Sequence, residues 1–137
     1  MKSRPLARAL ATVTAAAMVT GCVTHEGRYE PGCTAYAGST ITLSGGSFVW
    51  DRFTDQIEIG DDGRPVDPYP DYPRRGAYRL EGRTVVMTAD GGERMENHYL
   101  HRRDDAFLLL TAAEHAAWES SGTYPDCPLT RAPDGDD

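Results

Sequence analysis

The chain has 137 residues, with 14 basic and 21 acidic side chains and a formal net charge of −7. That length suits one domain, and the acidic balance repels phosphate, which argues against nucleic acid as a partner and against adhesion to anionic lipid through the protein surface. Three cysteines are an odd number, so any pairing leaves one thiol over.

The chain opens on Met1-Lys2-Ser3-Arg4-Pro5-Leu6-Ala7-Arg8, a basic stretch without acids, followed by small and apolar residues from Ala9 to Met18. A positive end, an apolar middle and small residues before a cut predict a signal peptide over 1–21. The apolar run is too short and too rich in Ala and Thr for a spanning helix. It ends in Val19-Thr20-Gly21-Cys22. These four residues resemble the lipobox of bacterial lipoproteins. The resemblance implies that the Cys22 thiol carries lipid, that the chain is cut before it, and that the mature protein hangs from a membrane of the cell envelope. In that family the residue after the lipidated cysteine influences sorting. Val23 is not the acidic residue associated with inner-membrane retention, which favours the outer membrane, periplasmic face, in a cell that has one. The mature chain loses Lys2, Arg4 and Arg8, so 11 of the 14 basic residues remain against 21 acids, every one of them Arg, for a charge of −10. With Cys22 taken by lipid, Cys33 and Cys127 are left as a disulfide pair in an oxidising compartment. The alternative is two unpaired thiols. Neither cysteine has the CxxC spacing or nearby ligand of a metal site.

Residues 22–32 are polar and read as a lipidated tether. The folded part is predicted as a single β domain over 33–131. Thr40-Ile41-Thr42-Leu43-Ser44 alternates as a half-buried strand does, Ser44-Gly45-Gly46-Ser47 turns the chain, and Phe48 and Trp50 share a face of the returning strand. Gln56 to Ile59 is a short strand and Gly60-Asp61-Asp62-Gly63 a turn. Pro65, Pro68, Pro70 and Pro73 then exclude helix and predict a long loop over 64–75. Ala77 to Leu80 and Thr84 to Thr88 form a second hairpin through Glu81-Gly82. Arg94 to Arg103 is a strand, and Ala106 to Leu110 is apolar throughout, as a strand buried on both faces is. Thr111-Ala112-Ala113-Glu114 fits a capping box and starts a helix over about 112–120, too short to persist unless Trp118 docks on the sheet. Cys127 to Arg131 closes the domain, and 132–137 is an acidic, disordered tail.

Six or seven short strands with tight turns predict an all-β fold, an antiparallel meander curled into a small barrel or half-barrel with one short helix. The repeated pattern around Tyr78-Arg79-Leu80-Glu81-Gly82 resembles the small lipocalin-like barrels of bacterial lipoproteins. Phe48, Trp50, Tyr78 and Met87 imply that side chains fill the interior.

Candidate chemistry is sparse. His98 and His101 lie three apart on a strand, so they point to opposite faces and do not make a metal pair. Asp61-Asp62-Gly63 lacks the ligand spacing of a calcium loop. Asp51 follows Trp50 and faces water, so Asp51 and Asp55 make no acid–base pair. Ser44-Gly45-Gly46-Ser47 is not a nucleophile elbow. No catalytic residue, metal or cofactor is predicted. Tyr69 and Tyr72 with Arg74 and Arg75 are the candidate binding surface, because tyrosine and arginine dominate interfaces and a proline-stiffened loop loses little entropy on binding. The expected function is a lipid-anchored, non-catalytic cell-envelope protein that binds a protein or another envelope component. One alternative is a carrier holding a small apolar ligand in the barrel. Another is an envelope inhibitor of a hydrolase such as lysozyme, because Ser121-Gly122-Thr123-Tyr124 resembles a serine-containing loop of lysozyme-inhibitor lipoproteins.

Overall fold

The alternation read from the sequence becomes pleated strands whose apolar faces meet. The computed structural model describes residues 24–132. The signal peptide, the lipidation residue Cys22 and tail residues 133–137 lie outside the described residues. In chain order come β1 (Gly27–Pro31), β2 (Ala37–Ser44), β3 (Ser47–Thr54), β4 (Glu58–Ile59), β5 (Pro65–Val66), β6 (Arg74–Glu81), β7 (Thr84–Ala89), β8 (His98–Arg103), β9 (Ala106–Thr111), α1 (Ala112–Ser121) and β10 (Leu129–Arg131). Eight strands close into one barrel in the order β1-β10-β9-β8-β7-β6-β3-β2, and β4 and β5 form a separate two-stranded ribbon. Every pairing is antiparallel. The expected all-β meander with one short helix is therefore a complete barrel, not a half-barrel.

The hairpin of β2 and β3 is in register from Ala37↔Thr54 to Ser44↔Ser47. Its turn residues Gly45 and Gly46 have φ of 56° and 79°, the left-handed pair that matches strand twist. Along the barrel wall Tyr29, Ile41, Leu43, Phe48, Trp50, Val85, Met87, Ala89 and Leu109 point inwards and form one buried cluster, with Tyr78 and Leu129 packed against it. The interior is thus filled, as the large side chains require. Gly76 sits where there is no room for more. A Cβ there would lie 2.0 Å from the Thr88 carbonyl oxygen and 2.9 Å from Phe48 Cε1.

Three boundaries differ from expectation. The tether assigned to 22–32 contains β1, whose Tyr29 is fully buried in the barrel. A lone aromatic among Gly, Glu and Pro carries no alternation signal, so only pairing on both sides reveals the strand. The strand expected over Arg94 to Arg103 begins at His98, and Arg94 makes a single bridge to Thr88. The loop expected over 64–75 contains β5, in which Pro65 pairs with Ile59 at the edge of a ribbon, where the missing N–H costs no ladder bond, and it ends in the first two residues of β6, Arg74 and Arg75, which pair with Trp50 and Val49.

The helix starts as its capping box requires. Thr111 N donates to Glu114 Oε1 at 3.0 Å and Glu114 N donates to Thr111 Oγ1 at 3.2 Å. Gly122 ends it, its N–H bonded to the Trp118 carbonyl at 2.9 Å. β9 faces two environments. Leu109 belongs to the interior cluster, whereas Leu108 and Leu110 are buried outside it, on the side where Trp118 approaches. That is why the run Leu108-Leu109-Leu110 is continuous.

Cys33 follows β1 and Cys127 precedes β10, and the two form a disulfide with 5.4 Å between Cα atoms. It ties the first and last strands of the barrel across 94 positions of sequence. The double substitution Cys33→Ala/Cys127→Ala, which leaves no free thiol at the seam, is expected to lower the unfolding free energy by about 2–5 kcal/mol in urea titrations.

Candidate functional site

The two ends of the barrel differ. At the end where β2 turns into β3, interior side chains meet polar groups of the N-terminal segment. Tyr78 Oη donates to Glu26 Oε1 at 3.0 Å and lies 3.0 Å from His25 Nε2. Glu26 Oε1 also accepts from Gly45 N at 2.9 Å. The Tyr29 hydroxyl donates to the His25 carbonyl, and Arg131 Nη1 donates to the Thr24 carbonyl at 2.6 Å. Burial, reinforced by Glu26, pushes the Tyr78 phenol up to about 12, and burial raises Tyr29 as well. Both stay protonated donors, and residues 24–26 close this end.

The opposite end is open. There a cavity of about 730 Å³ lies between the top of the interior and the loops. Trp50 and His98 form part of its floor and Tyr72 and Met95 its wall, and the Cys33–Cys127 bond lies on its rim. Its charges balance: Arg52, Arg74 and Arg94 face Glu93, Glu96 and Glu114. The Arg74 guanidinium is paired with Glu93, which holds it in place and raises its pKa through that hydrogen bond. An aromatic series runs outward from the core. The Trp50 ring meets His98 edge-on at 4.9 Å and Tyr72 at 6.2 Å, and Tyr72 meets Tyr69 at 6.4 Å. The Arg52 guanidinium lies 4.2 Å from the Tyr69 ring centroid, in cation–π contact.

Two groups of the cup are electrostatically distinctive. His98 is 2% exposed, and burial holds its pKa below the usual imidazole value. Its Nδ1 lies 3.1 Å from the Glu96 carbonyl, which only accepts, so Nδ1 carries the proton and Nε2 keeps a lone pair. Trp50 is 8% exposed, and its Nε1–H has no hydrogen-bond partner among the described residues. A buried donor left in this way costs about 1–3 kcal/mol.

The sequence-predicted surface is partly assembled here. Tyr72 and Arg74 line the cup, and Tyr69 stands behind them under Arg52. Arg75 does not join them: the next residue along a strand points the other way, and it is exposed on the outer wall. Trp50, Arg52, Met95 and His98 were not among the expected binding residues. Phe48, Trp50 and Arg52 share one side of β3, so the strand period contained that signal. Ser121 and Thr123 bond to each other at 2.7 Å at the end of α1, and Tyr124 packs edge-on against Trp118; neither Ser121 nor Tyr124 lines the cup.

His98 and His101 point to opposite faces, as their spacing requires. His98 enters the cup, and His101 faces α1 on the outside, where its Nε2 lies 2.8 Å from His115 Nδ1. The ligand atoms of His101, His115 and Glu119 all lie within 4.8 Å of one another. Packing of α1 against β8 brings 101 and 115 together; no local spacing in the chain does.

Comparison of the chain with models of protein families, with curated proteins and with solved structures gives no match.

The His98 environment has a pH signature. Its pKa is lower folded than unfolded, so the stability it contributes is complete above the unfolded value of about 6.5 and declines as pH falls below it. His101, also held low by burial and by His115 and Arg83, adds in the same direction. Urea stability is expected to fall from about pH 7 to about pH 5, with a shallower fall in His98→Phe; an unchanged slope in that variant would remove His98 from the effect.

Proposed function

We propose that the protein is a lipid-anchored, non-catalytic binding protein of the cell envelope, and that it takes its partner at the open end of the barrel. The observation that carries this reading is the cup itself, a space of about 730 Å³ lined by Trp50, Tyr72, Met95 and His98. That volume falls within the range of ligand sites, about 300–1,000 Å³. Balanced charge favours a partner that is neither strongly anionic nor strongly cationic. The aromatic floor and wall favour an apolar group. Below Trp50 the interior is packed by Tyr29, Ile41, Leu43, Phe48 and Met87, which supports binding at the mouth over a carrier with ligand deep inside.

The exposed apolar residues extend this surface. Tyr36 and Phe53 stand beside the mouth, Ile57 precedes the ribbon that follows β3, and Ile59 and Val66 lie on it. A protein or lipid-like envelope component wide enough to cover the rim gains their burial as well.

The anchor and the cup fit one orientation. Thr24 lies at the closed end, where its carbonyl accepts from Arg131, and Cys22 comes two residues before it in sequence. Lipid on Cys22 therefore sets the closed end against the bilayer and turns the mouth away from it. Among the described residues no helix is long and apolar enough to cross a membrane, so attachment in this reading rests on the lipid.

Two measurements test the two halves. Cys22→Ser is expected to abolish incorporation of labelled fatty acid and to move the protein out of the membrane fraction; retention of both would end the anchor reading. In cells expressing the full chain, a cross-linked partner is expected to disappear with Tyr69→Ala/Tyr72→Ala and to persist with Arg75→Ala, which alters only the outer wall. Equal capture by both variants would remove the cup from the function.

A further inference from the structure

The outer face of β8 and the second turn of α1 present a second constellation. His115 and Glu119 are four residues apart on the helix, so they lie on one face. His101 comes up from the barrel wall to meet them, and it is 7% exposed. Its Nε2 and His115 Nδ1 point at each other across 2.8 Å, and the Glu119 carboxylate completes a set within 4.8 Å. The rings have little freedom to turn away. His115 is stacked on Tyr99 with centroids 4.0 Å apart and 3° between planes, and His101 meets the Trp118 ring edge-on at 6.0 Å.

We propose that His101, His115 and Glu119 form a binding site for a divalent transition-metal ion, of which Zn²⁺ is the physiological type, clamping α1 to the barrel wall. Two imidazoles and one carboxylate are a borderline donor set that suits Zn²⁺, Co²⁺, Ni²⁺ and Cu²⁺ and does not suit Ca²⁺ or Mg²⁺. Three protein ligands leave a fourth position for water on the exposed Glu119 side. Metal–nitrogen bonds of about 2.0–2.1 Å at a tetrahedral centre set the nitrogens about 3.3 Å apart. The present pair opens by about half an ångström to admit the ion, a movement within reach of the half-buried His115. The proton shared in the imidazole pair moves to the other ring nitrogen of its own ring, so both facing nitrogens offer lone pairs and the imidazoles release no net proton. Arg83 acts on His101 as a nearby cation, and Glu119 opposes it.

The helix gives the ion something to do. No residue of α1 is fully buried, so its hold on the barrel rests on partial contacts such as Trp118. An ion bonded to β8 on one side and to two residues of α1 on the other replaces those with a fixed link.

The test uses the full chain in mild detergent, purified without a histidine tag. Titration with Co²⁺ is expected to give visible absorption of tetrahedral intensity that saturates at about one equivalent. Cu²⁺ is expected to quench Trp118, and Trp118→Phe to lose that quenching while keeping the Co²⁺ band. His115→Ala and Glu119→Gln, neither at a fully buried position, are each expected to weaken Co²⁺ binding by about tenfold or more, with circular dichroism unchanged. Absence of a saturating band, or a band whose affinity is the same in His115→Ala, overturns the site and leaves the two histidines as a hydrogen-bonded pair.

Discussion

The barrel depends on a seam only three residue pairs long. β1 and β10 meet at Tyr29↔Arg131, Glu30↔Thr130 and Pro31↔Leu129. Without that contact β1 and β10 would each present an unpaired edge, the feature that invites pairing with other chains. Three pairs are a weak join, and the chain reinforces it from both ends. Gly32 N bonds the Pro128 carbonyl at 2.9 Å and Ala132 N bonds the Arg28 carbonyl at 2.8 Å. The Cys33–Cys127 bond lies just beyond, next to the rim of the cup. β1 also supplies Tyr29, a fully buried part of the core, so losing the seam empties part of the interior as well as opening the wall. Closure and core packing are one constraint.

The same constraint gives the barrel its polarity. Strand alternation sends every second side chain inwards, and the residue types change along the axis. Tyr78 and Tyr29 direct their hydroxyls to Glu26 and His25 at one end. Aliphatic side chains and Phe48 fill the middle. Trp50, Arg52, Arg74 and His98 arrive at the other end, where they line the cup. Gly76 shows how tightly this is drawn: its strand passes so close to the β7 backbone at Thr88 and Ala89, with Phe48 beside it, that no side chain fits. A plugged end, a dry middle and a polar-tipped mouth follow from one repeating rule acting on a changing sequence.

Much of this is legible in the amino-acid sequence. The β2–β3 hairpin, the capping box at Thr111 and Glu114, the buried run at Leu108 to Leu110 and the filled interior are local patterns, and local patterns survive folding. The disulfide followed from cysteine arithmetic and the lipobox resemblance. β1 was not legible, because Gly27 to Pro31 has one apolar residue and becomes a strand only through neighbours 12 or more positions away. The candidate surface was half legible. Composition marked Tyr69, Tyr72, Arg74 and Arg75 as a group, but pleating separates Arg75 from Arg74, and the cup adds Trp50 and His98 from strands remote in sequence. The His101–His115 contact was illegible for the same reason: a strand and a helix meet there through tertiary packing alone.

That contact and the cup lie on two faces of the same elements. On β8, His98 points in and His101 points out. On α1, Glu114 lines the cup and the next residue, His115, faces the outer cluster. The helix is capped at Thr111, which is also a cup residue, so the helix start and the mouth share a boundary. Any ion that fixes His115 against His101 therefore fixes where Glu114 stands. The converse holds too, because a partner in the mouth that engages Glu114 bears on the helix from its first turn. Coupling of this kind needs no distant pathway; it needs only a short helix with no fully buried residue, held between two sets of contacts.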